Sequence, residues 1–475
     1  LFGLGKADGS GRLNRTHSPP GLIIQDEMHL IAGPLGTIYG LYETVIERLC
    51  SEEDERYKPK IIASTATIRG ARDQVRAIYG RVKNDNETNL QLFPPPGITI
   101  GDSFFGVYAK KNDDGSSSLA PGRLYLGIHA NDYGSILTAQ VRAFAAALSK
   151  ANDLPEPARD PWWTLLSFYN SIRELGGGKT LFDSDIRSRL KFIHNREGVI
   201  KDDRRYLTLA QELTSRLSQA EIVRMMDKLA ITYSAKSSAS AKDVVDACLA
   251  SSIIEVGVDI DRLSLMGIVG QPKTTSQYIQ VSGRIGRKWK ERPGLVLTLY
   301  SPGKSRDRSH YEQFHTYHRR LYERVEPTSA TPYSPSAIKR ALGGVLLLWA
   351  RQHLKDDDKP DTTGIESAIS KVKSLIEERN RTIQNRADVT RSQEEIDSVF
   401  QALTQRLSLD PVEWEKFPPE VEDHYLMLWP GQYYEYAQKQ RGVEVPSSMR
   451  QVDSTAALEI TQLYSLPGSD QGGGS

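Results

Sequence analysis

The sequence has 475 residues, room for about three domains of ordinary size. Its 61 Lys and Arg nearly cancel its 60 Asp and Glu. Net charge therefore points to no class of partner, and any nucleic-acid surface has to arise from local clustering. The two cysteines, Cys50 and Cys248, exclude a disulfide framework or a Cys-rich zinc site and suit a reducing, cytoplasmic setting. No apolar run approaches the roughly 20 residues that span a bilayer, so no membrane partner is expected. The chain begins at Leu1 and shows no secretory leader; a longer parent chain is expected, with 467–475 as a flexible linker.

Residues 1–20 read as loop. Leu22–Gln25 is a short apolar run that predicts a buried strand, followed by a helix to about Cys50. Lys60–Ala63 predicts a second strand, with Thr67 placed to cap a helix from Ile68. Residues 83–122 are rich in Asn, Asp, Pro, Gly and Ser, with surface loops expected at 94–97 and 113–118. Then come a strand at 123–128, a long helix at 135–149 and a strand at 163–168. Further strands are expected at Ile253-Ile254, 265–269 and 295–299, and mostly helix from Ser334, including polar helices near 363–385 and 392–407. A Tyr/Trp-rich stretch at 424–436 suits an aromatic core or a subunit contact better than base stacking. Strands alternating with helices give an α/β fold built on parallel sheet.

Four short patterns carry chemistry. Asp26-Glu-Met-His29 follows the first strand, and a carboxylate at the carboxyl end of a parallel strand sits where such sheets bind ligands. Asp can hold Mg²⁺ through water, and the next Glu can orient and deprotonate an attacking water; a capped strand-to-helix turn explains the same four residues equally well. Ser64-Thr-Ala-Thr67 follows the second strand and by itself is a helix cap. Ser251-Ser-Ile-Ile-Glu-Val-Gly257-Val-Asp259 ends a strand in a glycine-bearing acidic turn. Gln280-Val-Ser-Gly-Arg284-Ile-Gly-Arg287 is the most specific. Thr274 and Gln277 have capping-box spacing and predict a helix from Thr275, on which Arg284 and Arg287 would share a face. Two guanidinium forks on one face suit a triphosphate better than a merely solvated basic surface.

In this order the four patterns resemble motifs II, III, V and VI of the superfamily 2 helicases, and Phe168-Tyr-Asn170-Ser171 resembles motif IV. The resemblance covers about residues 20–300. It implies two RecA-like domains, the first N-terminally truncated (1–122) and the second at 123–330, with a helical extension at 331–475. ATP would lie in the cleft between the two. Asp26 would hold Mg²⁺, Glu27 would act as general base, and His29, Thr65 and Thr67 would couple hydrolysis to strand movement. Asn170, Ser171 and Ser251 would touch nucleic acid; Gly257, Asp259 and Gln280 would face the nucleotide. Arg284 and Arg287 would complete the site, with Arg287 as arginine finger. Downstream, 321–327, Thr331-Pro-Tyr-Ser-Pro335, 341–345 and 448–453 resemble the DrmA family of helicase subunits from bacterial DISARM phage-defence systems. That resemblance implies a DNA track and a companion subunit from the same defence operon.

Gly176-Gly-Gly-Lys-Thr180 imitates a P-loop, but the position that needs the first glycine is Arg173, so a glycine-rich turn is expected instead. The phosphate-gripping loop is expected upstream of Leu1, and these residues alone are expected not to hydrolyse ATP. His310, His315 and His318 lack the company of a zinc site. Residues 284–324 hold 11 Lys and Arg against 4 Asp and Glu, which suits phosphate contact or a solvated face equally. Two other readings stay open: an ATP-inactive nucleic-acid-binding or assembly module, and an RNA helicase.

Overall fold

The computed structural model describes residues 18–51, 58–65, 69–83, 87–93, 104, 122–131, 134–156, 158–214, 216–233, 243–251, 259–353, 360–384, 386–409, 412–414, 424–428 and 442–445. The expected loops at 94–97 and 113–118, the strand at 253–254, Thr67, Gly257 and the 448–453 segment lie outside these residues. Sequence placed boundaries at 122 and 330; the contacts group the chain into two compact units. One holds residues 1–66, 70–90 and 327–475, the other 67–69 and 91–326.

In the first unit, β1 (Leu22–Gln25) pairs in parallel with β2 (Lys60–Ala63), and β3 (Val82–Lys83) with β4 (Glu87–Thr88) in an antiparallel hairpin. The helix Gly33–Leu49 starts with Pro34 in its first turn, where a missing N–H costs nothing. Ile38, Leu41, Val45 and Leu49 recur at helical spacing and are all buried. They join one core with Leu346, Ile369, Val372, Ile396 and Phe400, supplied by the helices Gly343–His353, Thr362–Ile383 and Arg386–Leu407. Burial of those four side chains stabilises by about 6–12 kcal/mol as an upper figure.

The same helix carries a buried ionic knot. Glu47 meets Arg81 (2.9 Å), Lys58 (3.1 Å) and Arg379 (3.3 Å), and Arg379 also donates to the Tyr79 carbonyl. Burial drives the Glu43 carboxyl up to about 7. Because buried ion pairs roughly break even against their desolvation, the apolar seam holds these helices together, while the Glu47–Arg379 pair ties the helix Gly33–Leu49 to the helix Thr362–Ile383. The aromatic stretch contributes Tyr425 and Leu426, both buried; residues 429–436 lie outside the described set.

The second unit is a six-stranded, wholly parallel sheet: β5 (Arg123–His129), β6 (Leu165–Tyr169), β7 (Ala210–Leu213), β8 (Ala247–Ala250), β9 (Leu265–Val269) and β10 (Gly294–Tyr300). Their spatial order is β5-β10-β9-β6-β8-β7. The strands β6, β8 and β9 are buried along their whole length, as expected for parallel strands covered on both faces. From β8 the chain crosses to β9 on the other side of β6, a switch point that opens a crevice at the strands' carboxyl ends.

Two local expectations change. The strand expected from Trp163 starts at Leu165, because Asp160-Pro-Trp-Trp163 turns a short helix with Pro161 in its first turn. The glycine-rich stretch 176–180 is not a turn: it lies inside the helix Ile172–Asp183. A Cβ on Gly178 would sit 2.2 Å from the Tyr169 hydroxyl, so the glycine admits a close strand-helix contact. Lys179 is paired with Asp183 at 2.7 Å, one helical turn on.

Candidate functional site

Asp26 and Glu27 follow β1 directly. Glu27 is the one non-glycine with positive φ among the described residues (φ 52°, ψ 46°). Such a conformation needs its surroundings to hold it, and it concentrates at functional sites. The surroundings are visible. Asp26 Oδ1 accepts from the Ser64 hydroxyl and from the Glu27 amide at 2.8 Å, and the Ser64 bond leads in keeping its carboxyl below the usual range. The Met28 amide donates to the Ser64 carbonyl at 2.9 Å. His29, buried, stands with Nδ1 3.1 Å from Thr65 Oγ1 and 3.4 Å from Glu27 Oε2. Asp26, Glu27, His29 and Thr65 thus form one hydrogen-bonded group across the ends of two paired strands. The exposed, ionised carboxylate of Asp26 has the donor chemistry that a hard cation takes.

In the second unit, Asn170, Ser171 and Ser251 lie at the carboxyl ends of the adjacent strands β6 and β8. The Asn170 side chain donates to the Val269 and Gly270 carbonyls, both at 3.2 Å. Ser171 accepts from the Glu174 amide at 3.2 Å and caps the next helix; Ser251 is buried.

The helix after β9 runs from Thr275 to Ser282, with Thr274 accepting from the Gln277 amide at 3.2 Å as its spacing predicts. The Gln277 side chain reaches back one residue further, to the Lys273 amide. This helix stops short of the two arginines, so Arg284 and Arg287 do not share a helical face. Gly283 closes it, and Gly286 takes φ +67°. A Cβ there would meet Gly294 N at 2.7 Å and Gly122 O at 3.0 Å. Arg287 emerges from this loop and forms an ion pair with Asp259, which joins two candidate residues the sequence left 28 positions apart; Gln280 lies on the helix, nearly buried.

Sequence reading missed the residues that hold these groups. Arg123 donates to the Gly283 and Ile285 carbonyls, both at 3.0 Å, and pins the arginine loop. The buried Asp307 accepts from the Gln271 and Ser301 amides (3.0 and 2.8 Å). Glu326 takes the Thr275 amide at 2.8–2.9 Å and its hydroxyl at 3.0 Å, at a helix N-terminus that favours an anion. None belongs to a recognisable local pattern. His318 is part of an aromatic core, bonded to the Phe314 carbonyl and the Tyr278 hydroxyl (2.8 and 3.0 Å), and burial lowers its pKa. No group of three or more His, Cys, Asp or Glu among the described residues is arranged to hold a metal, and no described helix is long and apolar enough to cross a membrane.

The helicase conserved C-terminal domain matches residues 167–288. DISARM protein DrmA of Bacillus paralicheniformis is 37% identical over 454 residues, 93% of this chain. Residues 167–288 thus carry a helicase C-terminal domain, and the chain as a whole is similar to DrmA. The chain spans 38% of the length of that DrmA relative. Solved helicase structures that align with it include the DUF1998 helicase MrfA bound to DNA and AMPPNP. There the identity is 14% over 69% of this chain and 37% of that one, with a TM-score of 0.44. The Mycobacterium smegmatis helicase Lhr bound to ssDNA and AMP-PNP aligns at 15% identity over 73% and 36%, with a TM-score of 0.42.

Proposed function

We propose that the chain is part of an ATP-dependent DNA helicase or translocase that serves a bacterial antiphage defence complex together with a companion subunit of the same operon. The observation that carries this reading is the 37% identity to DISARM protein DrmA along 93% of the chain. It is supported by the hydrogen-bonded group at Asp26, which is arranged as water-activating chemistry requires. In this proposal Asp26 holds Mg²⁺, which when bound supplies charge neutralisation at the transferred phosphate. Glu27, its backbone fixed in the left-handed turn, orients and deprotonates the attacking water. Through Thr65, and with Thr67, His29 passes the state of that turn to β2 and the chain beyond it. Arg287 stabilises the charge that develops in the transition state, with Arg284, Gln280, Asp259 and Gly257 facing the nucleotide; Asn170, Ser171 and Ser251 contact the DNA backbone. By themselves these 475 residues are proposed to show no ATP turnover, since no Gly-x₄-Gly-Lys-Ser/Thr pattern occurs in them.

The test uses the full-length protein. ATP turnover is measured with DNA and with RNA, and phage plating is compared between wild type and Glu27→Gln. DNA-stimulated turnover with loss of protection in the variant is expected. Stimulation by RNA alone would replace DNA as the track, and full protection by the variant would remove ATP hydrolysis from the function.

A further inference from the structure

Nothing in the motif pattern singles out Gln74, yet its side chain is fully buried beside the Asp26–Glu27 turn. It lies on the helix Ala71–Tyr79. Its Nε2 donates to the Met28 carbonyl at 3.1 Å and to the Ile31 carbonyl at 2.8 Å, the two ends of the short 3-10 turn Met28–Leu30. Its Oε1 accepts from the Thr328 hydroxyl. Both amide protons and the carbonyl are used, in a place where a lost partner is not replaced by water.

We propose that Gln74 is a positioning residue for Glu27, and that Thr328 completes the brace. The proposal rests on the reading of Glu27 as the water-activating base. The left-handed Glu27 backbone opens the 3-10 turn, so the turn's carbonyls set the direction in which the Glu27 carboxylate leaves the chain. Two bonds from one rigid amide fix both ends of that turn together. Side chains that support a reacting group in this way hold it to fractions of an ångström, and a shift of about 1 Å at such a group lowers turnover about 10²-fold. Thr328 follows closely on Pro327, where the chain re-enters the first unit after residue 326. The Gly33 amide donates to Ser329 O at 2.7 Å, and the Thr331 amide to Thr37 Oγ1 at 3.0 Å. The 328–331 strap is therefore bonded at two places to the segment that follows Glu27, directly to the helix from Gly33 and through Gln74 to the turn itself.

The experiment compares Gln74→Met, Gln74→Glu and Thr328→Val with wild type in the full-length protein. Met keeps the volume and loses all three bonds. Glu keeps the acceptor for Thr328 and loses both N–H donors, and Val removes only the Thr328 donor. The first readout is amide hydrogen exchange over residues 26–31, which needs no activity. Exchange should rise at least about tenfold in both Gln74 variants and less in Thr328→Val, with residues 38–49 unchanged. The second readout is nucleic-acid-stimulated ATP turnover. Here kcat should fall about 10–100-fold in the Gln74 variants while KM for ATP stays within about threefold, and Gln74→Met should add little to Glu27→Gln. Unchanged exchange at 26–31 overturns the brace. Raised exchange with wild-type kcat overturns the positioning role and leaves Gln74 a structural residue. Absent turnover in wild type with raised exchange in the variants would count against the base assignment alone, because the brace would then stand without it.

Discussion

Two loops carry most of the candidate chemistry, and they are held in opposite ways. The Asp26–Glu27 turn follows a four-residue strand in which Leu22 and Ile24 are 48% and 71% exposed. Side-chain hydrogen bonds from Ser64 and Gln74 hold it in place. The Arg284–Arg287 loop is held mainly by close backbone packing, to which one arginine side chain adds two bonds. Gly286 touches Gly294 and Gly122, the Gly286 amide bonds to Leu263 O at 3.0 Å, and Arg123 grips two carbonyls. The first kind of support can be weakened one bond at a time, about 0.5–1.5 kcal/mol each. In the second, one methyl group on Gly286 would meet backbone on two sides, 2.7 Å from Gly294 N and 3.0 Å from Gly122 O.

Predictions test that contrast from its strongest effect down. Removing the group at the tip of the rigid loop, Arg287→Ala, should lower nucleic-acid-stimulated turnover of the full-length protein by about 10³-fold or more. Arg287→Lys should rescue it poorly, because a point charge does not reproduce the fork. ATP affinity, measured by nucleotide titration, should change far less. Loss of DNA binding with intact basal hydrolysis would instead make Arg287 part of a basic surface.

At the braced loop, Glu27→Gln keeps size and shape and should lower turnover by about 10²–10⁴-fold with the thermal midpoint unchanged. Near-normal hydrolysis in this variant would end the assignment of Glu27 as base.

Gly286→Ala attacks the support itself. The left-handed φ and the contact with Gly294 together should destabilise by about 2–4 kcal/mol, read from urea midpoints. Turnover should fall in step with stability. A fully stable Gly286→Ala protein would show that the loop yields, and would dissolve the contrast.

The smallest effect concerns Glu43, whose carboxyl burial raises to about 7. The folded pKa is above the unfolded one, so the proton favours the folded state. This contribution is complete below about pH 4.5 and is lost as pH rises through 7. Across that range Glu43 should remove on the order of 3 kcal/mol from the unit's stability. Melting curves of Glu43→Gln across that range should be flatter than wild type and higher at pH 8; parallel curves would show that Glu43 is ionised throughout.

The elements with regular apolar spacing were readable in the sequence. Leu265–Val269 appears as expected, as do the helix to Leu49 and the cap at Thr274. β7 and β8 were not, because Ala-Gln-Glu-Leu and Ala-Cys-Leu-Ala have neither a strict alternation nor a branched run. The α/β class follows from strand-helix alternation, and the helicase family from ordered motifs. The supports were hidden for one reason: Gln74, Arg123, Asp307 and Glu326 each act on a backbone group between 36 and 162 residues away. A motif records the residues that perform a task, while the residues that hold them can come from anywhere in the chain. The expectation that Arg284 and Arg287 share a helix failed on Gly283, whose helix-ending role the spacing argument ignored.

The ionic knot and the seam around Leu49 also shape how the protein comes into being. Residues 18–90 complete their core only with residues from 327 onward, so 236 residues are made between the two halves. At ordinary elongation rates that interval is roughly 10–50 s. During it Ile38, Leu41, Val45 and Leu49 have emerged from the ribosome without the side chains from 327 onward that cover them, while all six strands of the second unit are made within it. That apolar helix face is therefore expected to need shielding while the middle of the chain is made, and synonymous codons within 91–326 set how long the exposure lasts.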